Sequence, residues 1–151
     1  MSEKRNALTV LMADDDPDDC MLVKDAFSEC GLYCNINFVY DGVELFNYLN
    51  QRGRYRDPDT SPFPNLILLD LNMPKKDGRE ALKEIKRNAA FRAIPVIILT
   101  TSISDNDISS AYELGAASYV IKPDSFERLV LLIRCLGHYW FDCVKLPPLL
   151  N

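Results

Sequence analysis

Acidic side chains follow two apolar segments of the chain, at the point where each segment ends. The run 66–69 is followed by Asp70, and the run 8–13 is followed by Asp14 and Asp15. Apolar runs of this length predict strands, and in an open parallel sheet the carboxyl ends of the strands form the edge where ligands bind. Like charges at such an edge raise one another's pKa unless a cation intervenes. The sequence therefore predicts a divalent cation site, and an oxygen-rich donor set suits Mg²⁺.

Two further apolar runs end in a hydroxyl group and an ammonium group. The run 95–99 leads to Thr100, and the run 118–121 leads to Lys122. A lysine ammonium is a compact point charge that suits a phosphate. In chain order, the four strands thus present an acid pair, a single acid, a hydroxyl and a lysine.

Helical segments separate these strands. Asp16 and Pro17 are a typical N-cap and first residue of a helix, and Gly31 is a typical residue to end one. Four more helices are predicted to begin near Asp41, Asp77, Ser104 and Ser125, and the predicted strands are 9–13, 35–40, 66–69, 96–99 and 118–121. Five strands that alternate with five helices predict an α/β fold with a parallel sheet, right-handed crossovers and helices on both faces.

Apolar patterns predict which side chains are buried. The first helix should bury Leu22, the second strand should alternate through Tyr40, and the last helix should bury Phe126. His138 lies in an apolar helical stretch and is interpreted as structural. The stretch 51–65 contains three prolines and a glycine, which predicts an extended loop.

The four strand-end motifs, in this order, resemble the receiver domain of two-component response regulators over about residues 8–139. The resemblance implies the flavodoxin-like strand order 2-1-3-4-5. It also implies a phosphorylation-controlled signalling switch rather than an enzyme. A sensor histidine kinase would transfer a phosphoryl group to Asp70, and the chain itself would catalyse only this transfer and a slow autodephosphorylation.

Two other functions are weighed against this one. A haloacid-dehalogenase-like phosphatase also forms an aspartyl phosphate at a strand end, but it needs an Asp two residues after the nucleophile, where this chain has Asn72. A receiver-like binding module that acts without phosphorylation would not need Asp70, Thr100 and Lys122 together. Labelling with a small phosphodonor would separate these alternatives.

The resemblance assigns the metal-binding residues. Asp15 and Asp70 would bind Mg²⁺ directly, Asp14 would act through a water molecule, and Asn72 would contribute its backbone carbonyl. The acidic residues that follow, Asp19 among them, are interpreted as charges that favour the start of the first helix.

The resemblance also assigns the residues that respond to the phosphoryl group. Lys122 would contact the acceptor and then the phosphoryl oxygens, and its peptide bond to Pro123 would be cis. Thr100 would move to bind the phosphoryl group, and Tyr119 would be the aromatic switch residue that fills the vacated space. Ser102 occupies a position that tunes hydrolysis and supplies no strong base, which predicts slow hydrolysis.

The composition bounds the class of protein. The 151 residues suffice for one domain, and we predict a receiver domain at 7–146, a tail at 147–151 and no output domain. The net charge of −5 argues against a nucleic-acid surface. The five cysteines match no zinc pattern and are interpreted as buried thiols in a reducing compartment. No apolar run reaches the length of a membrane helix, so a cytoplasmic location is predicted.

The C-terminal part of the sequence predicts a partner surface. Besides its core-facing stripe, the fifth helix carries Leu131, Leu136 and Tyr139, so most of its circumference is apolar and must be covered on more than one side. We therefore predict a homodimer through the fourth helix, the fifth strand, the fifth helix and the tail. The segments 138–141 and 146–148 are similar to those of small stand-alone regulators that partner bacterial phytochrome-type kinases.

Overall fold

The computed structural model describes residues 8–148 and contains one parallel sheet. The strands are β1 (Leu8–Ala13), β2 (Cys34–Val39), β3 (Leu66–Leu69), β4 (Val96–Thr100) and β5 (Ser118–Ile121). The α-helices are α1 (Pro17–Glu29), α2 (Gly42–Leu49), α3 (Gly78–Arg87), α4 (Asp105–Glu113) and α5 (Phe126–Gly137). The strands lie in the order β2-β1-β3-β4-β5. The predicted fold class and strand order are therefore confirmed.

The helices begin where the sequence predicted caps. Each α-helix follows a residue whose side chain accepts a hydrogen bond from a backbone N–H of the first turn, and these residues are Asp16, Asp41, Asp77, Ser104 and Ser125. The first-turn N–H groups have no partner within the helix, so a cap fixes the point at which the chain turns from a strand end into a helix.

The sheet buries both of its faces. Along β1, Val10 and Met12 point into a cluster with α1 and α5, whereas Leu11 and Ala13 point into a cluster with α2, α3 and α4. Side chains alternate between the faces of a strand, so two helical layers cover one sheet. The strand tips are thereby held from both sides, which fixes the backbone positions of the residues that follow them.

Three predictions of burial are wrong. Tyr40 lies beyond the end of β2 and is exposed, and Leu22 and Phe126 are exposed although each belongs to an apolar helical pattern. Leu22 and Phe126 both line a cavity of about 120 Å³ between α1 and the start of α5, so the neighbouring helix covers them only in part.

The long connection between α2 and β3 is ordered by two tyrosines. It contains a 3₁₀ turn at Gly53–Tyr55, and Tyr55 and Tyr48 are both buried. The Tyr48 hydroxyl donates to the carbonyl of Pro62 (2.8 Å), and the Tyr55 hydroxyl donates to Glu44. Burial raises the pKa of Tyr48 and Tyr55, so both hydroxyls stay protonated and able to donate.

The chain continues past α5 as a π-helical turn at His138–Cys143. Trp140 packs against the cluster formed by α1 and α5. Further on, Pro147 and Pro148 line a groove of their own chain with Phe63 and other residues at the amino ends of β3 and β4. Within residues 8–148, no helix is long and apolar enough to cross a bilayer.

The prediction that the cysteines are buried is also wrong. All five cysteines are free, but only Cys20 is buried, and Cys135 and Cys143 are exposed. His138, which was predicted only to be structural, is exposed, and its Nδ1 lies 3.5 Å from a carboxylate oxygen of Asp142. Both residue types sit in apolar stretches, but the last turns of the chain have solvent on one side.

Candidate functional site

Three carboxylates meet at the carboxyl edge of the sheet. Oxygen atoms of Asp14, Asp15 and Asp70 all lie within 4.8 Å of one another. The two strand ends are joined, because the Asp70 N–H donates to the carbonyl of Ala13 (2.9 Å). Asp14 and Asp70 are buried whereas Asp15 is exposed, so the cluster opens to solvent on one side.

The donor set of this cluster fits a hard divalent cation. Oδ2 of Asp14 is fully buried and lies 2.7 Å from Nζ of Lys122, which leaves one of its two lone pairs free to accept a further bond. Burial raises the pKa of the Asp14 carboxyl to about 6, and the charge of Asp70 adds to the shift while Lys122 opposes it. A buried carboxylate oxygen with unused acceptor capacity, next to two more carboxylates, is the kind of group that a bound cation or its water shell would satisfy.

Lys122 lies among the acids and binds several of them. Its Nζ is 2.7 Å from Asp14, 2.7 Å from Asp19 and 3.1 Å from Asp70. Burial alone would lower the pKa of this lysine, but its hydrogen bonds and ion pairs with Asp14, Asp19 and Asp70 outweigh burial and raise it. The ammonium group is therefore a permanent positive charge beside the Asp70 carboxylate.

Asp19 is a site residue that sequence reasoning missed. The sequence explains Asp19 as a helix-start charge, but its carboxylate also receives a hydrogen bond from Lys122 across more than one hundred residues of chain. The signal that could have found it is its place in the first turn of α1, directly after the strand end that carries Asp14 and Asp15. An acidic side chain in the first turn of α1 can thus face both the helix end and the strand edge.

The peptide bond between Lys122 and Pro123 is not cis, which corrects the expectation from the resemblance. Among residues 8–148 there is no cis peptide bond. The cis and trans forms of an X–Pro bond differ by only about 0.5–1 kcal/mol, so the surroundings decide between them. Lys122 is held at both ends. Its ammonium group contacts three carboxylates, and its backbone N–H donates to the carbonyl of Thr100 (2.7 Å).

Thr100 and Tyr119 both contact one residue of the loop after β4. Thr100 is fully buried, and its Oγ1 accepts a long hydrogen bond of 3.5 Å from the N–H of Ser102. The Tyr119 hydroxyl donates to the carbonyl of Ser102 (2.9 Å). The structure thus brings the predicted hydroxyl to the N–H of Ser102 and the predicted aromatic residue to the carbonyl of the same residue.

The loop after β3 is packed tightly against the start of α3. Asn72 is exposed, and its N–H donates to Oδ1 of Asp70 (3.2 Å). The N–H of Gly78 donates to the carbonyl of Leu71 (2.9 Å). A Cβ atom at position 78 would lie 2.1 Å from the Asp70 carbonyl oxygen, so the helix can approach the acidic strand end only because this residue is glycine.

Comparisons with known proteins agree with this geometry. The family model described as "Response regulator receiver domain" matches residues 10–134. The chain is 37% identical over 148 residues to response regulator Rcp1 of Synechocystis sp., which covers 97% of this chain and 99% of that protein.

Solved structures give the same result. The Mn²⁺-bound form of Rcp1 superposes with a TM-score of 0.83 at 37% identity, over 93% of this chain and 99% of that one. The phosphorylated cyanobacterial phytochrome response regulator RcpA superposes with a TM-score of 0.86 at 34% identity, over 94% of this chain and 99% of that one.

The fold, the strand-end residues and these comparisons define a class of protein, and the chain belongs to the response regulator receiver domain family. It is a phosphorylation-dependent signalling switch rather than a phosphatase or a phosphorylation-independent binding module. The family is not one of catalytic enzymes, and its relatives imply a kinase as partner.

Proposed function

We propose that the chain accepts a phosphoryl group on Asp70 from a sensor histidine kinase, in a reaction that requires Mg²⁺. The observation that carries this proposal is the position of the Asp70 carboxylate, which lies in one cluster with Asp14 and Asp15 and 3.1 Å from the Lys122 ammonium. The nucleophilic carboxylate of Asp70 thus lies next to both a cation site and a fixed positive charge. Phosphoryl transfer depends mainly on such positioning and on charge neutralisation.

The transfer is a simple displacement at phosphorus. A carboxylate oxygen of Asp70 attacks the phosphorus atom of a phosphohistidine, and the new P–O bond forms as the P–N bond breaks. The imidazole leaves with the bonding electron pair and takes up a proton. The product is an acyl phosphate, which hydrolyses readily and therefore carries a transient signal.

The metal and the lysine have separate tasks. Asp15 and Asp70 would hold Mg²⁺ directly, Asp14 through water and Asn72 through its backbone carbonyl, and the bound ion would neutralise charge on the transferring group. The Mn²⁺ in the Rcp1 structure supports a divalent cation at this edge of the sheet. Lys122 would bind the phosphoryl oxygens, and its elevated pKa keeps it charged throughout.

The response passes through the loop after β4. The phosphoryl group adds negative charge and acceptor oxygens close to Thr100, and a conformation that binds this group better becomes more populated. Thr100 would turn toward the group, Tyr119 would follow, and the surface formed by α4, β5 and α5 would change. Asn72 and Ser102 supply no strong base beside Asp70, so we expect autodephosphorylation to be slow.

The partners follow from the relatives and from the exposed apolar side chains. The phytochrome named for RcpA supports a phytochrome-type kinase as the phosphodonor. Ile103, Tyr112, Leu131 and Tyr139 are exposed near α4, β5 and α5, which supports a homodimer through that surface, without contact to nucleic acid. The free cysteines fit the reducing cytoplasm.

The proposed domain limits are 7–146 for the receiver and 147–151 for the tail. Pro147 and Pro148 line a groove on their own chain, whereas residue 7 and residues 149–151 lie outside the described part. Support for the dimer therefore comes from α4, β5 and α5 rather than from the tail.

Phosphodonor labelling tests the proposal. We expect the wild-type chain to gain the mass of one phosphoryl group with acetyl phosphate and Mg²⁺, and the Asp70→Asn variant to gain none. Asp18→Asn is the matched control, because Asp18 is an exposed carboxylate in the same acidic run and its labelling should equal that of the wild type. Unlabelled wild-type protein, or equal labelling of Asp70→Asn, would contradict phosphorylation at this residue.

A further inference from the structure

Arg79 joins the first turn of α3 to the first turn of α4. Its Nε donates to Oδ1 of Asp107 (3.0 Å) and its Nη2 donates to Oδ2 (2.8 Å). Its Nη1 donates to Oδ1 of Asp77 (3.0 Å). A guanidinium group can bind both oxygens of one carboxylate in this way, whereas a lysine ammonium cannot. The contact therefore fixes the relative orientation of two helix starts as well as their distance.

Asp107 in turn holds the loop after β4. The Ser102 hydroxyl donates to Oδ2 of Asp107 (2.6 Å), and the Asp107 N–H donates to the Ser104 hydroxyl. Hydrogen bonds from Ser102 and Arg79 lower the pKa of the Asp107 carboxyl, so it remains an acceptor at all physiological pH values. The carbonyl of the same Ser102 accepts the Tyr119 hydroxyl. Asp107 thus fixes a residue on which Tyr119 depends.

On the side of α3, the same contacts lead to Asp70, the proposed phosphoryl acceptor. Gly78 immediately precedes Arg79, and it touches the backbone of Asp70 and Leu71 so closely that no Cβ would fit. A shift of the loop that carries Asp70 would therefore displace the start of α3, and with it the guanidinium group. Packed and hydrogen-bonded groups in contact with one another can carry energetic coupling between two sites, and these residues form such a path.

We propose that Arg79 and Asp107 form a clamp that couples Asp70 to Tyr119. Neither clamp residue belongs to the acidic cluster or to the ion pairs of Lys122. They are positioning residues that hold the Ser102 carbonyl where the Tyr119 hydroxyl can reach it. This inference rests on the proposed phosphorylation of Asp70, because the clamp transmits what occurs there.

A thermodynamic cycle on the full chain tests the clamp. The probe is beryllofluoride in the presence of Mg²⁺, as a phosphoryl-like ligand, and the measurement is its apparent affinity by titration calorimetry. Tyr119→Phe removes the hydroxyl that bonds to Ser102. We expect this substitution to change beryllofluoride affinity about fivefold in the wild-type background, a value at the lower end of usual allosteric couplings.

The same substitution should lose its effect when the clamp is broken. In an Arg79→Lys background, which keeps the charge but not the paired hydrogen bonds, Tyr119→Phe should change the affinity by less than about 1.5-fold. Asp107→Asn should act in the same way and provides an independent second break. Arg87→Lys, at the far end of the same helix, is the matched control and should retain the fivefold effect.

The outcomes separate the clamp from the proposed function. A fivefold effect of Tyr119→Phe that persists in both clamp variants would overturn the clamp, and so would the lack of any effect in the wild-type background. A wild-type chain that binds no beryllofluoride would instead overturn phosphorylation at Asp70. Loss of the effect in both clamp variants, with retention in Arg87→Lys, would establish the coupling.

Discussion

The acidic edge of the sheet and the C-terminal end of the chain are built in opposite ways. At the acidic edge, short side chains follow directly from buried strands, and Lys122 contacts Asp14, Asp19 and Asp70 at defined distances. At the C-terminal end, apolar side chains surround α5 and only some of them find cover. At the acidic edge, the backbone of the strand ends sets the positions of the side chains. Around α5, the burial of a side chain depends on which neighbouring element packs against it.

A single substitution should therefore have different consequences in the two regions. At the acidic edge, a change acts on charges and on a backbone that has no room to move. Around α5, the effect should depend on which side of the helix the residue occupies, even where the residue types are alike.

The largest effect should come from the covered side of α5. Ile133 is fully buried whereas Leu131 is 61% exposed, although both are large aliphatic residues of the same helix. Ile133→Ala should lower the free energy of unfolding by about 3 kcal/mol because it leaves a cavity in the core. Leu131→Ala should change it by less than about 0.5 kcal/mol. Urea unfolding followed by circular dichroism measures both, and equal losses would contradict a one-sided core contact.

Substitutions of two glycines, one in each region, should reveal which region yields more easily to an added methyl group. A Cβ at Gly78 would meet the backbone oxygen of Asp70 at 2.1 Å, and a Cβ at Gly137 would meet the Leu32 side chain at 2.6 Å. Gly78→Ala should cost about 2–3 kcal/mol in unfolding free energy, because the backbone it meets cannot turn away.

Gly137→Ala should cost at most about 1 kcal/mol, because the Leu32 side chain can turn and alanine is favoured over glycine inside a helix. Urea midpoints of the two variants give the comparison. A larger loss for Gly137→Ala than for Gly78→Ala would show that the C-terminal end is the less yielding region.

The elevated pKa of Asp14 predicts a pH dependence of cation binding. The folded protein without a cation keeps a proton on this carboxyl up to about pH 6, compared with an ordinary value of 3.8. Because the folded state binds the proton more tightly than the unfolded state, this group's contribution to stability falls as the pH rises from about 4 to 6.

Cation binding should follow the opposite trend, since it competes with the proton on Asp14. Mg²⁺ affinity should increase by up to about tenfold for each pH unit below 6 and level off above it. Calorimetric titrations between pH 5 and 8 would measure this. Asp18→Asn should keep the profile, and an affinity that is flat from pH 5 to 6 would show that Asp14 does not take part.

The smallest effect is expected from Asp19. Asp19→Asn leaves the Lys122 charge less compensated, so Mg²⁺ affinity should fall by about two- to threefold, because charges at the solvent-facing side of the site interact across a high dielectric. Labelling by an anionic phosphodonor should become faster by a similar factor at saturating Mg²⁺. Titration and labelling rates measure the two effects, and a change of the same sign in both would rule out this electrostatic account.

The sequence predicted the residues whose position is set by a strand end. Asp14, Asp70 and Lys122 each follow an apolar run directly, so knowledge of the strands is enough to bring them to one edge. Asp19 escaped prediction because an acid in the first turn of a helix has a sufficient local reason to be there, namely the helix dipole. Its second role, to accept a hydrogen bond from Lys122, becomes visible only in the three-dimensional structure.

The burial of apolar side chains was harder to predict from sequence. Phe126 and Leu22 fit helical patterns as well as the buried residues do, and Cys135 sits in an equally apolar stretch. A helical period identifies residues on one face, but it does not say how far the neighbouring element extends along that face. How much of Leu22 or Phe126 is buried depends on how α1 and α5 pack against each other, and the sequence pattern of one helix does not contain that information.

Trp140 is an intrinsic fluorescence probe of the contact between α1 and α5. It is the chain's single tryptophan, it packs on the layer shared by α1 and α5, and the Tyr139 ring meets it edge-on at a centroid distance of 5.2 Å. Its emission spectrum is therefore sensitive to water entering this one corner of the molecule. Detachment of the last helical turns can be followed by fluorescence without attaching a dye, and can be timed separately from the loss of the sheet.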